Sequence, residues 1–428
     1  MGKSGSHGVS PKGSLLKISW RNILRNKRRT LLTLCILALG SSGLIVIGGF
    51  FDNIIDGFRD QYIHSQSGHL QVNAKGYFRS GAADPFTYVI QDLGKVRQVL
   101  QSNPHVSFTV PRIKFGALVN NNNSSVAIMA LGAEPAGEQL MGHHKVDNAK
   151  YTSMNISAGR GLSADRPQGI IIGKGLLEAL GLELGQNFSL IANQKSGALE
   201  GANLQVDGVF QTIVKDFDDR AMKIPFETAQ KLVGMEGEAH TILVILDKTE
   251  NTDLVQKDIE AKFKAMNLSL EVIPWTETSQ FYQQGKEMLK SIFRTVQFVI
   301  AIIFLFSIAN TLNMSIFERI REFGTMMAIG NGRGAIFSVI FIEAVFLGLL
   351  GTAAGLGCGV LLAKVISAIG IEMPPPPQGS YSYYAVISLS PRLLLETVAI
   401  AISATAFSAL IPAYKASRFK IVQALGHV

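Results

Sequence analysis

TLLTLCILALGSSGLIVIGGFF, from Thr30 to Phe51, contains no charged residue. A helix rising 1.5 Å per residue needs about 20 apolar residues to cross a hydrocarbon core of roughly 30 Å. The stretch therefore reads as a membrane span. A cleaved signal has an apolar region of about 7–15 residues ending at a small-x-small site. This run is longer and no A-x-A follows it, so the span is expected to be retained.

Three further runs repeat the pattern. Thr295 to Phe317 is uncharged, Ala335 to Ala363 is interrupted only by Glu343, and Leu393 to Tyr414 carries Glu396 near its start. The layout is an N-terminal segment (1–29), span one (30–51), a long insert (52–294) and span two (295–317). A loop (318–334), span three (335–363), a loop (370–392), span four (393–414) and a tail (415–428) follow. The composition agrees, with 47% hydrophobic and 17% charged residues, against roughly 25% charged in an average soluble chain.

The net charge of +8 is concentrated at the membrane edges. Lys3, Lys12, Lys17, Arg21, Arg25, Lys27, Arg28 and Arg29 precede or enter span one, and no acid occurs before Asp52. Lys415, Arg418 and Lys420 follow span four, and Arg319, Arg321 and Arg333 lie in the loop after span two. Cytoplasmic segments carry the excess of Lys and Arg. Both termini and the 318–334 loop are therefore expected in the cytoplasm, and the insert and the 370–392 loop outside. Basic residues that flank spans in this way argue against a nucleic-acid partner.

Before span one, Leu16, Trp20, Ile23 and Leu24 share a helical face opposite Lys17, Arg21, Arg25 and Arg28. Two readings fit: a basic amphipathic helix in the inner interface anchored by Trp20, or a simple extension of span one. In span three, Gly351, Gly355 and Gly359 recur every four residues and form a strip where another helix can approach closely. Glu343 lies in the same span. An intramembrane carboxylate is either part of a working site or paired with a nearby arginine at the inner interface.

The insert 52–294 is long enough for its own core, in two subdomains. After a helical stalk from Asp52 to about Gln66, alternating segments predict strands at 69–72, 115–119, 125–131, 188–192, 204–210 and 241–246. Ile170-Ile171-Ile172 predicts a buried strand leading into a helix over 175–180, and 253–266 predicts another helix. Asn120 to Asn123 is a turn. The class is α+β: four transmembrane helices with a large extracytoplasmic α+β domain between the first and second.

Chemistry-bearing patterns are sparse. His143-His144 lacks a third ligand nearby, so it reads as a surface loop rather than a metal site. Asp216, Asp218 and Asp219 lack the spacing of a calcium loop and read as a solvated turn. Gly173-Lys174 does not complete a phosphate loop: G-x-x-x-x-G-K-[ST] needs Gly at 168 and Ser or Thr at 175, where Gln168 and Gly175 stand. Cys35 and Cys358 both fall in spans, which rules out a disulfide framework in the insert. The chain is thus expected to be no enzyme and to bind no metal or cofactor.

ERIREFGTMMAIG, Glu318 to Gly330, places Ile316, Ile320, Phe323 and Met327 along one helical face, with Gly330-Asn331-Gly332 as its stop. Such a helix either stabilises the loop or docks its apolar stripe in a groove of a cytosolic partner.

This loop resembles the coupling segment of FtsX-like, MacB-type ABC transporter permeases. RNILRNKRRTLLTL (Arg21–Leu34) and PAYKASRFKIVQAL (Pro412–Leu425) resemble that family's first-span and C-terminal signatures. In the insert, SGHLQV at Ser67, PRIKFGALV at Pro111, ALGAEP at Ala130 and IIIGKGLLEALGLELGQNFSL at Ile170 resemble in particular the lipoprotein-releasing LolC/LolE type. The resemblance extends over nearly the whole chain. It implies a MacB-type periplasmic domain and a multi-pass protein of the bacterial inner membrane. It also implies mechanotransmission: a cytosolic ABC ATPase dimer, with ATP and Mg on that partner, pushes a pair of identical or related permease chains.

On this resemblance Ile320, Phe323, Gly324, Met327 and Gly330 would meet the ATPase, oriented by Glu318, Arg319, Arg321 and Glu322. The cargo would be an acylated protein or lipid lifted from the outer leaflet towards a periplasmic lipoprotein carrier or adaptor. The alternatives are efflux of a peptide, antibiotic or haem-like compound, and ATPase-driven regulation of a periplasmic partner. MPPPPQGS (Met373–Ser380) departs from the pattern as a rigid polyproline element.

Overall fold

The computed structural model describes residues 19, 21–22, 25, 27–81, 84–120, 125–143, 154–212, 214–374 and 382–419. Trp20 with most of the basic N-terminal segment, the Asn121–Asn123 part of the turn, His144, Pro375–Ser380 and the tail from Lys420 lie outside the described residues. The chain divides into two compact units, one of residues 1–54, 286–371 and 385–428, the other of residues 55–285 and 372–384.

The first unit is built on four helices long and apolar enough to cross a membrane. They run Lys27–Tyr62, Gln280–Glu318, Arg333–Ile369 and Pro391–Ser417, with a short helix, Ile320–Ala328, after the second. Each extends beyond its uncharged run because helix-forming charged and polar residues continue the pattern where lipid gives way to water. The first helix has 36 residues, about 54 Å at 1.5 Å per residue and well over a bilayer core. Inside the unit, Leu37, Phe304, Ile308, Leu312 and Ile316 pack with Ile336, Ile340, Ala401, Ala409 and Ala413. Large side chains from the first two helices fill space left by the alanines of the fourth.

The second unit carries one ten-stranded sheet. Its strands are β1 (Leu70–Ala74), β2 (Val106–Asn120), β3 (Ser125–Ala133), β4 (Asn155–Gly159) and β5 (Gly169–Gly173). β6 (Asn187–Asn193), β7 (Leu199–Gln211), β8 (Ala221–Pro225), β9 (Thr241–Leu246) and β10 (Leu270–Pro274) complete it. The order is β10-β1-β9-β2-β3-β8-β5-β7-β4, with β6 pairing β2 and β7. The class is α+β, with mixed pairing: β3 runs parallel to β8 and β5 to β7, while the β1, β2 and β9 contacts are antiparallel.

In place of the two subdomains expected, one continuous sheet carries its two largest cores on one face. Leu70, Val72, Ile242 and Val244 pack with Val255, Ile259 and Phe263 of the helix Thr252–Ala265. Ile113, Phe115, Ile170, Ile172, Met222 and Ile224 pack with Leu176, Ala229 and Leu232 from the helices Lys174–Leu180 and Phe226–Val233. β2 belongs to both because it is long, and its inward residues alternate as a half-buried strand requires.

Asp218 is another correction. It is buried rather than solvated, and its carboxylate accepts hydrogen bonds from Thr212 N (2.9 and 3.0 Å) and Thr212 Oγ1 (2.8 Å). On the sheet face opposite these cores, Lys223 Nζ lies 2.6 Å from Glu138 Oε2, and Glu138 also binds Arg112. Arg112 Nη1 in turn donates to the Gln66 carbonyl at 2.7 Å, at the π-helical segment Ile63–Ser67. Burial opposes ionisation of Glu138, but Arg112 and Lys223 hold its carboxyl below the usual range.

His240 is fully buried, stacked on Tyr77 at 5.7 Å, and its Nδ1 accepts from Lys114 N at 3.1 Å. Burial pushes its pKa down to about 4 from 6.5. The unfolded chain then binds a proton between pH 6.5 and 4 that the folded chain refuses. Stability present above pH 6.5 is lost as pH falls towards 4. Thermal unfolding of the whole chain in nanodiscs should show His240→Gln flattening this limb, by on the order of 2 kcal/mol at pH 5. Parallel pH profiles for the two proteins would assign the effect elsewhere.

Candidate functional site

The second spanning helix ends at Glu318, and Arg319, with φ −114° and ψ 15°, breaks it from the helix Ile320–Ala328. The continuous face expected from Ile316 to Met327 is therefore interrupted. The apolar period continues through the sequence, but the backbone turns at Arg319. Its side chain is buried, which requires partners for the charge. Arg319 Nε donates to Glu322 Oε2 at 2.8 Å and Nη1 to Glu343 Oε2 at 3.1 Å. Its guanidinium also lies 5.1 Å from the Phe323 ring, within cation–π range.

The network extends outward. Glu322 Oε1 receives Arg25 Nη1 at 2.7 Å. Glu318 binds both terminal nitrogens of Arg29, one at 3.0 Å. Burial pushes the Glu322 carboxyl up, but the bonds from Arg319 and Arg25 hold it below the usual range. Charges thus join the short helix to the basic start of the first spanning helix and to Glu343 on the third. Glu343 is the paired carboxylate of the two alternatives.

Phe323, expected at the ATPase contact, is buried within its own chain. Its ring is 1% exposed and packs with Ile316, Ile336, Ala409 and Ala413. Gly324 is buried as well, and Ile320 and Met327 are half-buried. The apolar stripe was visible in the sequence, but it is filled by this chain's own helices. The opposite face is exposed: Arg321, Glu322, Thr325, Ala328 and Ile329, the last 75% exposed. Gly330, with φ 96°, closes the helix, and its N–H donates to the Met327 carbonyl. Ile329 stands just before the glycine stop and off the buried stripe, and is not among the residues the sequence singles out.

The glycine strip faces the first spanning helix. A Cβ at Gly351 would lie 2.5 Å from Leu37 Cβ, at Gly355 2.6 Å from Ser41 Cβ, and at Gly359 2.7 Å from Ile45 Cδ1. The first helix answers with glycines that sequence reasoning passed over. A Cβ at Gly40 would strike the Phe304 ring, and one at Gly48 would strike Leu393 and Phe293. Thr33 and Thr311 hydroxyls meet at 2.8 Å between the first and second helices. Among the described residues, no group of three or more His, Cys, Asp or Glu side chains could hold a metal ion.

Residues 294–421 match the FtsX-like permease C-terminal family, and residues 30–262 match the MacB-like periplasmic core domain. The chain belongs to the FtsX-like, MacB-type permeases. An uncharacterized ABC transporter permease of Methanocaldococcus jannaschii is 30% identical over 178 residues, 41% of this chain and 44% of that one. The chain thus spans less than half the length of this relative. The lipoprotein-releasing system transmembrane protein LolC of Neisseria meningitidis serogroup B is 22% identical over 355 residues, 79% of this chain and 80% of that one. The periplasmic region of MacB from Actinobacillus actinomycetemcomitans superposes on 52% of this chain and 95% of its own, with 14% identity and a TM-score of 0.36. This permease is accordingly a membrane component of an ABC transporter, and its charged collar at Arg319 lies in the FtsX-like portion.

Proposed function

We propose that this permease transmits movement from a cytosolic ABC ATPase dimer, which carries ATP and Mg, to its extracytoplasmic domain. In this reading it extracts acylated proteins or lipids from the outer leaflet of the bacterial inner membrane. Two permease chains, identical or related, act together, both termini are cytoplasmic, and a periplasmic carrier or adaptor receives the cargo. The observation that carries the coupling step is the collar: Arg319 binds Glu322 on the short helix and Glu343 on the third span, while Arg25 and Arg29 tie in the first. A push on the exposed face of Ile320–Ala328 then moves ion-paired helices together.

Each buried CH₂ of an acyl chain contributes about 0.8 kcal/mol to membrane anchoring. Release of such a cargo requires a driven machine, which supports pairing with an ATPase. The name of the Neisseria meningitidis relative favours lipoprotein release. The macrolide export named for a MacB relative of Neisseria gonorrhoeae, 24% identical over 212 residues, favours the second reading, efflux of a peptide, antibiotic or haem-like compound. Copurification and mass spectrometry of bound material separate the two: acylated proteins support release, and small molecules without lipoprotein overturn it.

The exposed face gives the docking prediction. Ile329→Glu should abolish copurification of the ATPase while the permease stays folded, since Ile329 is 75% exposed. Phe323→Ala should instead lower the permease's own stability, by about 3–5 kcal/mol as a buried aromatic deletion. Unchanged ATPase binding by Ile329→Glu would move the docking surface elsewhere.

A further inference from the structure

A cavity of about 510 Å³ opens on the sheet face of the extracytoplasmic unit, opposite the two cores. That volume lies within the range of small-molecule sites. Its floor follows from strand register. Arg112, Lys114 and Gly116 alternate along one face of β2, paired with Ala133, Leu131 and Met129 of β3, and Arg112 is also paired with Thr241 of β9. Tyr77, Phe78, Tyr62 and Gln66 also line it.

The lining has a clear chemical bias. Two cations, Arg112 and Lys114, line the cavity, and no Asp or Glu does so among the described residues. Glu138, the carboxylate that meets Arg112, is shared with Lys223. Two buried donor atoms in the lining residues lack a hydrogen-bond partner, Arg112 Nε and Gln66 Nε2. Buried donors of this kind are ordinarily satisfied. The wall also carries aromatic and aliphatic side chains, including Leu131, Met129 and Leu243, beside the neutral polar Gln71, Thr241 and Thr278.

We propose that this cavity binds a small amphipathic anion, its carboxylate or phosphate head held by Lys114 and Arg112 and its apolar tail lying against Leu131, Met129 and Tyr77. The site is separate from the ATPase-driven step and does not depend on the identity of the cargo. A charged acceptor suits the guanidinium and ammonium donors. A neutral molecule of the same length would leave those donors unmatched.

Lys114 is exposed and Gly116 has open space where a Cβ would stand, so both can be changed without disturbing the cores. The test is equilibrium dialysis of radiolabelled octanoate, octyl phosphate and octanol against the full chain in lipid nanodiscs, with empty nanodiscs as the blank. Saturable binding of either anion above the blank, with octanol at the blank level, is expected. The tighter anion identifies the head as carboxylate or phosphate. Lys114→Glu should weaken binding about tenfold or more, and Gly116→Phe should remove it by filling the cavity. Octanol binding as tightly as the anions, no saturable binding at all, or binding unchanged in both variants would each overturn the proposal.

Discussion

Arg319→Met alone should unfold the detergent-solubilised permease at a markedly lower temperature, and Arg319→Met combined with Glu343→Met should restore most of the loss. The reason is the burial of both partners: the Arg319 and Glu343 side chains are 5% and 9% exposed, with their pair at 3.1 Å. Removing one partner leaves an uncompensated charge in a low-dielectric setting, which costs about 3–5 kcal/mol. Removing both leaves an apolar contact of similar volume, often neutral or stabilising. The outer pairs behave differently. Arg25 and Glu322 are 53% and 43% exposed, so Arg25→Ala should change stability by at most about 1 kcal/mol. Transport by the doubly substituted protein then separates two roles. A stable double variant that still transports reduces the pair to a structural clasp, and a stable one that fails makes it part of the coupling.

Gly355→Leu should have an effect of similar or larger size. A Cβ there would stand 2.6 Å from Ser41 Cβ and 2.9 Å from the Ala38 carbonyl oxygen. The obstacle includes backbone, which cannot rotate aside as a side chain does. Overpacking a core costs about 1–3 kcal/mol even where side chains can adjust, so separation of the first and third helices is expected. Gly357, two residues on, has nothing within 4 Å of its Cβ position. Gly357→Leu enters open space and should leave folding intact. Thermal unfolding and protease resistance of the two variants compare the two faces of one helix. Equal behaviour would mean that the first helix does not sit on the glycine strip.

These two sites were legible to different degrees. The glycine strip could be read because helical spacing alone places residues 351, 355 and 359 on one side. The strands could be read because a half-buried strand alternates, and β2, β6 and β7 do so. Partner choice could not be read. Glu343 meets Arg319 across 24 positions, and Lys223 meets Glu138 across 85, with no local pattern at either end. The direction of the Phe323 stripe was equally hidden, because an apolar helix face has the same sequence whether it meets its own chain or another. The turn at Arg319 was masked by an apolar period that continues through it. Asp218 looked solvated because neighbouring acids usually are, and only the fold places it against Thr212.

The most direct test of the coupling account places single cysteines at Thr325 and, separately, at Gly357, and crosslinks each to the copurified ATPase with a short thiol–amine reagent. Thr325 is exposed on the proposed docking face, whereas Gly357 lies within the third spanning helix. The account predicts a crosslink from position 325 whose yield changes when ATP is bound, and none from position 357. No crosslink from position 325 in a complex that hydrolyses ATP and transports would contradict it.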